Sequence, residues 1–279
     1  MNKGPNRREV LAWSAGMFLA LHNETLSAVQ GEEMLSTSPD RQRRILSLEL
    51  VSAAPLGKMK EFYCQLLGLR AVAEERDRFT FAAGETEITF VPAKADEGRP
   101  FYHFAFNIPE NKILAARDWQ KERTPLLPIP PRLRDSKYPD DVVDYNHWNA
   151  HSVFFFDPAE NVVEYIARHD LKNAQPGPFD SRDILHASEI AFVVDDVAAA
   201  ATKFKEVVGV EHYRGGSDKF MALGDEHGLL LVMKRGRIIS FDAKETKAVS
   251  VFRTTASFRG VKSAKYSLPD FPYQIHVEV

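Results

Sequence analysis

Apolar and polar positions along this chain fall into short runs of period two, each set interrupted by one stretch of helical period. ILSLELVS (Ile45 to Ser52) alternates as a strand, Lys58 to Leu67 has helical spacing, and RFTFAAG with TEITFVP reads as a hairpin around Gly84. FYHFAFNIP is again a strand, and ENKILAARDWQKERT has apolar helical positions at Ile113, Leu114 and Trp119. HWNAHSVFFFDPAENVVEYIARHD, His147 to Asp170, then gives two apolar strands joined by a tight turn.

The pattern repeats. EFYCQLLGLRAV (Glu61 to Val72) is echoed by TKFKEVVGVEHY (Thr202 to Tyr213), with Gly68 and Gly209 placed as helix C-terminal caps. RFTFAAGETEITFV (Arg78 to Val91) is echoed at the same offset by KFMALGDEHGLLLV (Lys219 to Val232). Three βαβββ units follow: a pair over 45–170, a connection at 171–183 containing NAQPGPFDSR, and a third unit over 184–279 whose sheet the terminal YQIHVEV would complete. PLLPIPPRLRDSKYPDDVVDYNHWN, inside the second unit, is far longer than an ordinary connection. Its aromatics Tyr138, Tyr145 and Trp148 mark it as a lid.

Glu164 breaks the pattern. It sits among Val162, Val163, Tyr165 and Ile166 on a strand built for burial, where a carboxylate costs several kcal/mol unless paired, hydrogen-bonded or metal-bound. The 279 residues are 44% hydrophobic and 27% charged with a formal charge of -3, which suits an ordinary soluble domain and leaves no basic footprint for nucleic acid. Cys64 is the single cysteine, so a metal would have to be held by His and carboxylate ligands. Arg7 and Arg8 precede a weakly apolar run from Val10 to Leu21, too short for a stable membrane span. Residues 1–34 resemble a twin-arginine export signal with a tether, which implies a periplasmic protein without a membrane span in its mature form; the alternatives are an amphipathic helix and a cytoplasmic chain.

FYCQLLGL, YHFAFNIP and DPAENVVEYI together resemble the vicinal oxygen chelate superfamily, which includes glyoxalase I, extradiol dioxygenases, fosfomycin-resistance enzymes and bleomycin-binding proteins. The resemblance implies an α+β fold of repeated βαβββ modules, paired into a curved, cup-shaped mixed sheet around a metal, with the third module a further relative. It implies ligands on the first and last strands of each module: His103 and Glu164 from the second, Glu87 from the first. The remaining position falls near Ser47, where the family pattern has a ligand and this chain does not.

Strand alternation sorts these candidates by face. His103 lies with Ala105 and Asn107, opposite Phe104, Phe106 and Ile108, while Glu49 shares the face of Ser47 and could replace the missing ligand or act as a base. His151, at the junction of lid and cup, is the acid/base candidate, with Trp148, Asn149 and Tyr145 beside it for substrate contact. In the third module Glu189 falls near the first-strand ligand position, but its last strand is apolar, so that module is expected to buttress the fold or mediate a homodimer. One His with carboxylates suits Fe(II), Mn(II), Ni(II), Zn(II) or Mg(II). The resulting expectation is a metal-dependent lyase, isomerase or ring-cleaving dioxygenase acting on a small oxygen-rich substrate. The alternatives are a metal-free small-molecule binder and an extracytoplasmic scaffold.

Overall fold

The computed structural model describes residues 44–240, 246–260 and 262–279; the expected export signal and tether lie outside them. Module one runs β1 (Ile45–Ser52), helix α1 (Leu56–Lys60, continuing through a wider turn over Glu61–Leu66), β2 (Arg70–Glu75), β3 (Arg78–Ala83) and β4 (Thr86–Pro92). Module two runs β5 (His103–Ile108), α2 (Ile113–Lys121), β6 (Val143–Tyr145), β7 (Ala150–Phe156) and β8 (Val162–Arg168). Module three runs β9 (His186–Val194), α3 (Val197–Val208), β10 (His212–Ser217), β11 (Phe220–Asp225) and β12 (Gly228–Lys234). A short hairpin, β13 (Ile238–Ser240) and β14 (Thr246–Ala248), leads to β15 (Thr254–Arg259), β16 (Ala264–Ser267) and β17 (Tyr273–Glu278).

Within each module the first and last strands lie parallel and adjacent, as β1 with β4, β5 with β8 and β9 with β12. The terminal strands follow the same rule, β15 lying parallel to β17. They therefore make a reduced fourth module, not the end of the third as the terminal pattern had suggested. The pairing of modules also differs from the sequence expectation. One sheet has the order β10-β11-β12-β9-β5-β8-β7-β6, joining module two to module three. The other, β16-β17-β15-β1-β4-β3-β2, joins module one to the fourth.

The backs of both sheets and the three helices share one core, in which Phe90, Phe104, Phe106, Tyr165, Phe192 and Ile275 are fully buried. Tyrosine hydroxyls link the sheets. The Tyr102 hydroxyl accepts from Val51 N at 3.1 Å and donates to Arg253 O at 2.7 Å. The Tyr273 hydroxyl does the same with Val193 N and Val193 O at 3.0 and 2.7 Å. The Asp-Pro turn between β7 and β8 is held by Asp157, whose carboxylate accepts from the backbone N–H of Ala159 and Asn161, from Asn161 Nδ2 and from the Tyr63 hydroxyl.

On the front, the two sheets differ. The module-two and -three sheet carries a second apolar cluster in which Tyr145, Trp148, Phe154, Tyr213, Leu231 and Ile239 pack together. The long loop of module two supplies part of it and adds β6 to the sheet edge, so it is an ordered cover. The front of the other sheet is polar, with Ser47, Glu49, Thr89, Thr255 and His276 in register across its central strands.

Gly84, in the β3–β4 turn, has φ of 53°, and a Cβ there would stand 1.7 Å from the carbonyl oxygen of Leu185. This turn docks on the strand leading into β9, where Glu85 N donates to Leu185 O. Gly84→Ala is expected to lower stability by about 2–3 kcal/mol, read as a reduced urea midpoint; a change within about 0.5 kcal/mol would show that the contact relaxes freely.

Candidate metal centre

β5 and β9 run antiparallel down the middle of the covered sheet and bring the first-strand positions of modules two and three side by side. Strand alternation places His103, Ala105 and Asn107 on the front of β5, with Glu164, Ile166 and Arg168 on the front of β8. On β9 the register slips by one residue: Phe106 pairs with Ala187, but Ala105 pairs with Glu189. Ser188 is the inserted residue of this β-bulge, and its insertion puts Glu189 rather than Ser188 at the front beside His103.

One ligand atom from each of His103, Glu164 and Glu189 lies within 4.8 Å of the others, the one such group of three among the described residues. Their accessibilities are 8%, 1% and 2%. His103 Nε2 stands 3.5 Å from Glu164 Oε2 and 3.8 Å from Glu189 Oε2. His103 Nδ1 is 3.0 Å from Val162 O, a group that can only accept, so Nδ1 carries the proton and Nε2 offers a lone pair to the cluster. Glu164 Oε1 is buried without a hydrogen-bond partner.

Burial dominates the electrostatics. It pushes the His103 pKa down to about 4, opposed by the Val162 carbonyl. It raises Glu164 well above the ordinary carboxylate range, Glu189 adding to the shift. Glu189 is raised for the same first reason, while Arg168 opposes it. Arg168 is fully buried, donates from Nη2 to Glu189 Oε1, and donates from Nε to Asn107 Oδ1 at 3.1 Å. Asn107 Nδ2 donates in turn to Glu226 O at 2.8 Å, which orients its oxygen toward Arg168. An imidazole nitrogen and two carboxyl groups converging in a buried site form a candidate donor set for a divalent cation, and imidazole with carboxylates suits the metals named above.

The other sequence candidates fall elsewhere. Glu87 is exposed on β4, in the sheet of module one, outside the cluster. Ser47 lies in that sheet too, so the absence of a His there does not concern this centre. Glu49 is half-buried there as well, paired with Arg78 and 3.9 Å from Arg253. His151 pairs with Ala167 and takes the back of β7 with Val153 and Phe155, the face opposite Glu164. It contacts His169 Nε2 through Nδ1 at 2.8 Å and stacks on Tyr138. Asn149 is an exposed turn residue with φ of 50° whose amide donates to Asp170. Trp148 and Tyr145 do lie in the front cluster: the Arg168 guanidinium sits 5.6 Å from the Trp148 ring, and Glu164 and Glu189 help burial to raise the Tyr145 phenol.

The last strand of Glu189's own module, HGLLLVM, offers it no second ligand. The signal in the sequence was the match of EIAF to HFAF, which makes Glu189 the counterpart of His103. The ladders extend the match: Glu164 pairs with Ala105 and Leu231 with Ala191, so Leu231 occupies the place that Glu164 has in module two.

Paired βαβββ modules that bring strand-borne ligands to one front face define the vicinal oxygen chelate fold. No protein-family model and no curated protein matches the chain, whereas solved structures do. A candidate dioxygenase from Bacillus subtilis is 14% identical, the alignment covering 85% of this chain and 86% of that one at a TM-score of 0.54. Glyoxalase I from Zea mays is 15% identical over 85% and 92%, with a TM-score of 0.45. FosX from Listeria monocytogenes, a fosfomycin resistance protein solved with Mn(II) and sulfate, is 16% identical over 48% and 90%, with a TM-score of 0.31. The first carries the likeness of fold; the other two fall below the level at which similarity has weight. No helix among the described residues is long and apolar enough to cross a membrane.

A carboxyl group whose native pKa stands above its unfolded value makes the metal-free native state bind more protons than the unfolded chain. Stability without metal therefore falls as pH rises above the ordinary carboxylate range. Glu164→Gln removes that titration with little change of volume. In chelator, the variant is expected to be about 1–2 kcal/mol more stable than wild type at neutral pH, with a flatter pH profile by urea unfolding. A less stable variant would mean that the carboxylate supports the fold rather than straining it.

Proposed function

We propose that this protein is a metal-dependent enzyme in which His103, Glu164 and Glu189 hold one divalent cation against a small oxygen-rich substrate. The carrying observation is the commitment of the His103 Nδ1 proton to Val162 O, which leaves the Nε2 lone pair turned to the carboxyl groups of Glu164 and Glu189 at 3.5 and 3.8 Å. When bound, the cation supplies Lewis-acid polarisation of substrate oxygens. The protein's own groups do the rest. Val162 O fixes the His103 tautomer, and Arg168 holds one oxygen of Glu189 while the other faces His103. Tyr145, buried in the same front cluster, keeps its phenolic proton because burial and then Glu164 and Glu189 raise its pKa, and it is the proton donor in this reading. The packed front cluster keeps bulk water away.

The enclosed crevice beside His103, walled by Phe101, Met233, Ile239, Val249 and Phe252, holds about 20 Å³, space for a water and not for a drug-sized ligand. Substrate entry in an enzyme of this design requires the loop or hairpin over the front to move, as lids do in many enzymes. Lyase, isomerase and dioxygenase chemistry all draw on such a centre.

Purified protein loaded with Mn(II), Fe(II) or Zn(II) and desalted is expected to retain roughly one ion per chain by elemental analysis. A free ion at about 100 times its dissociation constant should raise stability by about 2.7 kcal/mol. His103→Ala, Glu164→Gln and Glu189→Gln should each lose both effects, whereas Glu87→Gln should keep them. Equal metal retention by wild type and the three variants would refute the centre.

A further inference from the structure

We propose that a small monoanionic oxygen ligand, of the carboxylate class, completes this centre with Arg168 as its protein anchor. The inference rests on the cation reading above and deepens it, because it names the charge of the substrate group.

Two independent observations point to it. The first is the charge left over. Glu164 and Glu189, ionised once a metal is bound, together balance a divalent ion, so with the Arg168 guanidinium, which shares Glu189 and lies 5.6 Å from the Trp148 ring, the site carries one net positive charge, and every charged member is at least nine-tenths buried. Buried charge without a counterpart is expensive. The neighbours do not supply one. His186 is held neutral, its pKa pushed down to about 3 by burial first and then by Arg44, and His227 is lowered in the same direction. Arg237, beyond Tyr145, adds positive charge. Glu226 is committed to Tyr213 and Arg214, and its side chain is 21% exposed.

The second observation is a donor without an acceptor. Nε and Nη2 of Arg168 are engaged by Asn107 and Glu189, but Nη1 is buried with no hydrogen-bond partner. Leaving such a donor unmet costs about 1–3 kcal/mol, and more for a charged group. Guanidinium groups meet carboxylate oxygens with matched planar geometry. One anionic ligand therefore answers both deficits, and a neutral diol or ether answers neither. Because His103, Glu164, Glu189 and Arg168 are all buried, the smallest carboxylate is the suitable probe.

The test is calorimetric titration of the full chain, loaded with Mn(II) after its metal content has been measured, with sodium formate and with formamide, a neutral near-isostere, at constant ionic strength. Formate is expected to bind saturably and formamide at least about tenfold more weakly, with no formate binding to the metal-free protein. At metal content matched to wild type, Arg168→Met should weaken formate about tenfold or more, and Arg168→Lys should restore part of the loss. Arg168→Met also leaves Glu189 without its partner; if it fails to fold, the comparison of formate with formamide on wild type decides. Equal binding of formate and formamide, undiminished formate binding in Arg168→Met, or no formate binding to metal-loaded wild type would each overturn the anion site and leave the metal reading intact. Failure of wild type to retain Mn(II), seen before any titration, would instead remove the metal reading and this inference with it.

Discussion

Acceptor atoms held together in a dry interior repel one another, and a fold tolerates that only when something positive is to stand between them. In this protein one imidazole lone pair and two carboxylates meet at 3.5 and 3.8 Å, and a carbonyl has already taken the imidazole's single proton. Proton uptake by Glu164 relieves the repulsion in the metal-free state, and in the proposed loaded state a cation would take that place. The surrounding architecture maintains this conflict. The β5–β9 seam sets the two first-strand residues side by side, the bulge at Ser188 turns Glu189 inward, and Arg168 holds Glu189 against the carboxylate repulsion.

The four modules have diverged in what they present. Modules two and three share a front that is sealed by apolar and aromatic side chains over the ligand cluster. Module one and its reduced partner share a front that is polar and open, with no three-ligand group among the described residues. A covered front lowers the local dielectric and strengthens each interaction at the cluster. It also demands that every buried polar group be answered, which gives the free Arg168 Nη1 and Glu164 Oε1 their meaning.

His151 illustrates why a functional residue type is weak evidence alone. It stands in the right strand, near aromatics, with acidic neighbours, yet one step of a period-two strand sends it to the back, where Tyr138 stacks on it and His169 bonds to it. Glu49 and Glu87 stand apart from the cluster for another reason: their module shares a sheet with the terminal strands instead of with module two.

The sequence by itself determined the modules. Alternation and helical spacing follow from which faces must be buried, and these local constraints made βαβββ units, the Gly68 and Gly209 helix ends, and the anomaly of His103 and Glu164 on front positions readable in the chain. Only the tertiary structure decided which units share a sheet. Strand pairing between modules depends on hydrogen bonds and side-chain packing between segments far apart in sequence, and no local period encodes it. That choice brought Glu189 and Arg168 to the cluster, left Ser47 and Glu87 outside it, and placed a bulge where a single inserted residue selects which side chain faces His103 and Glu164.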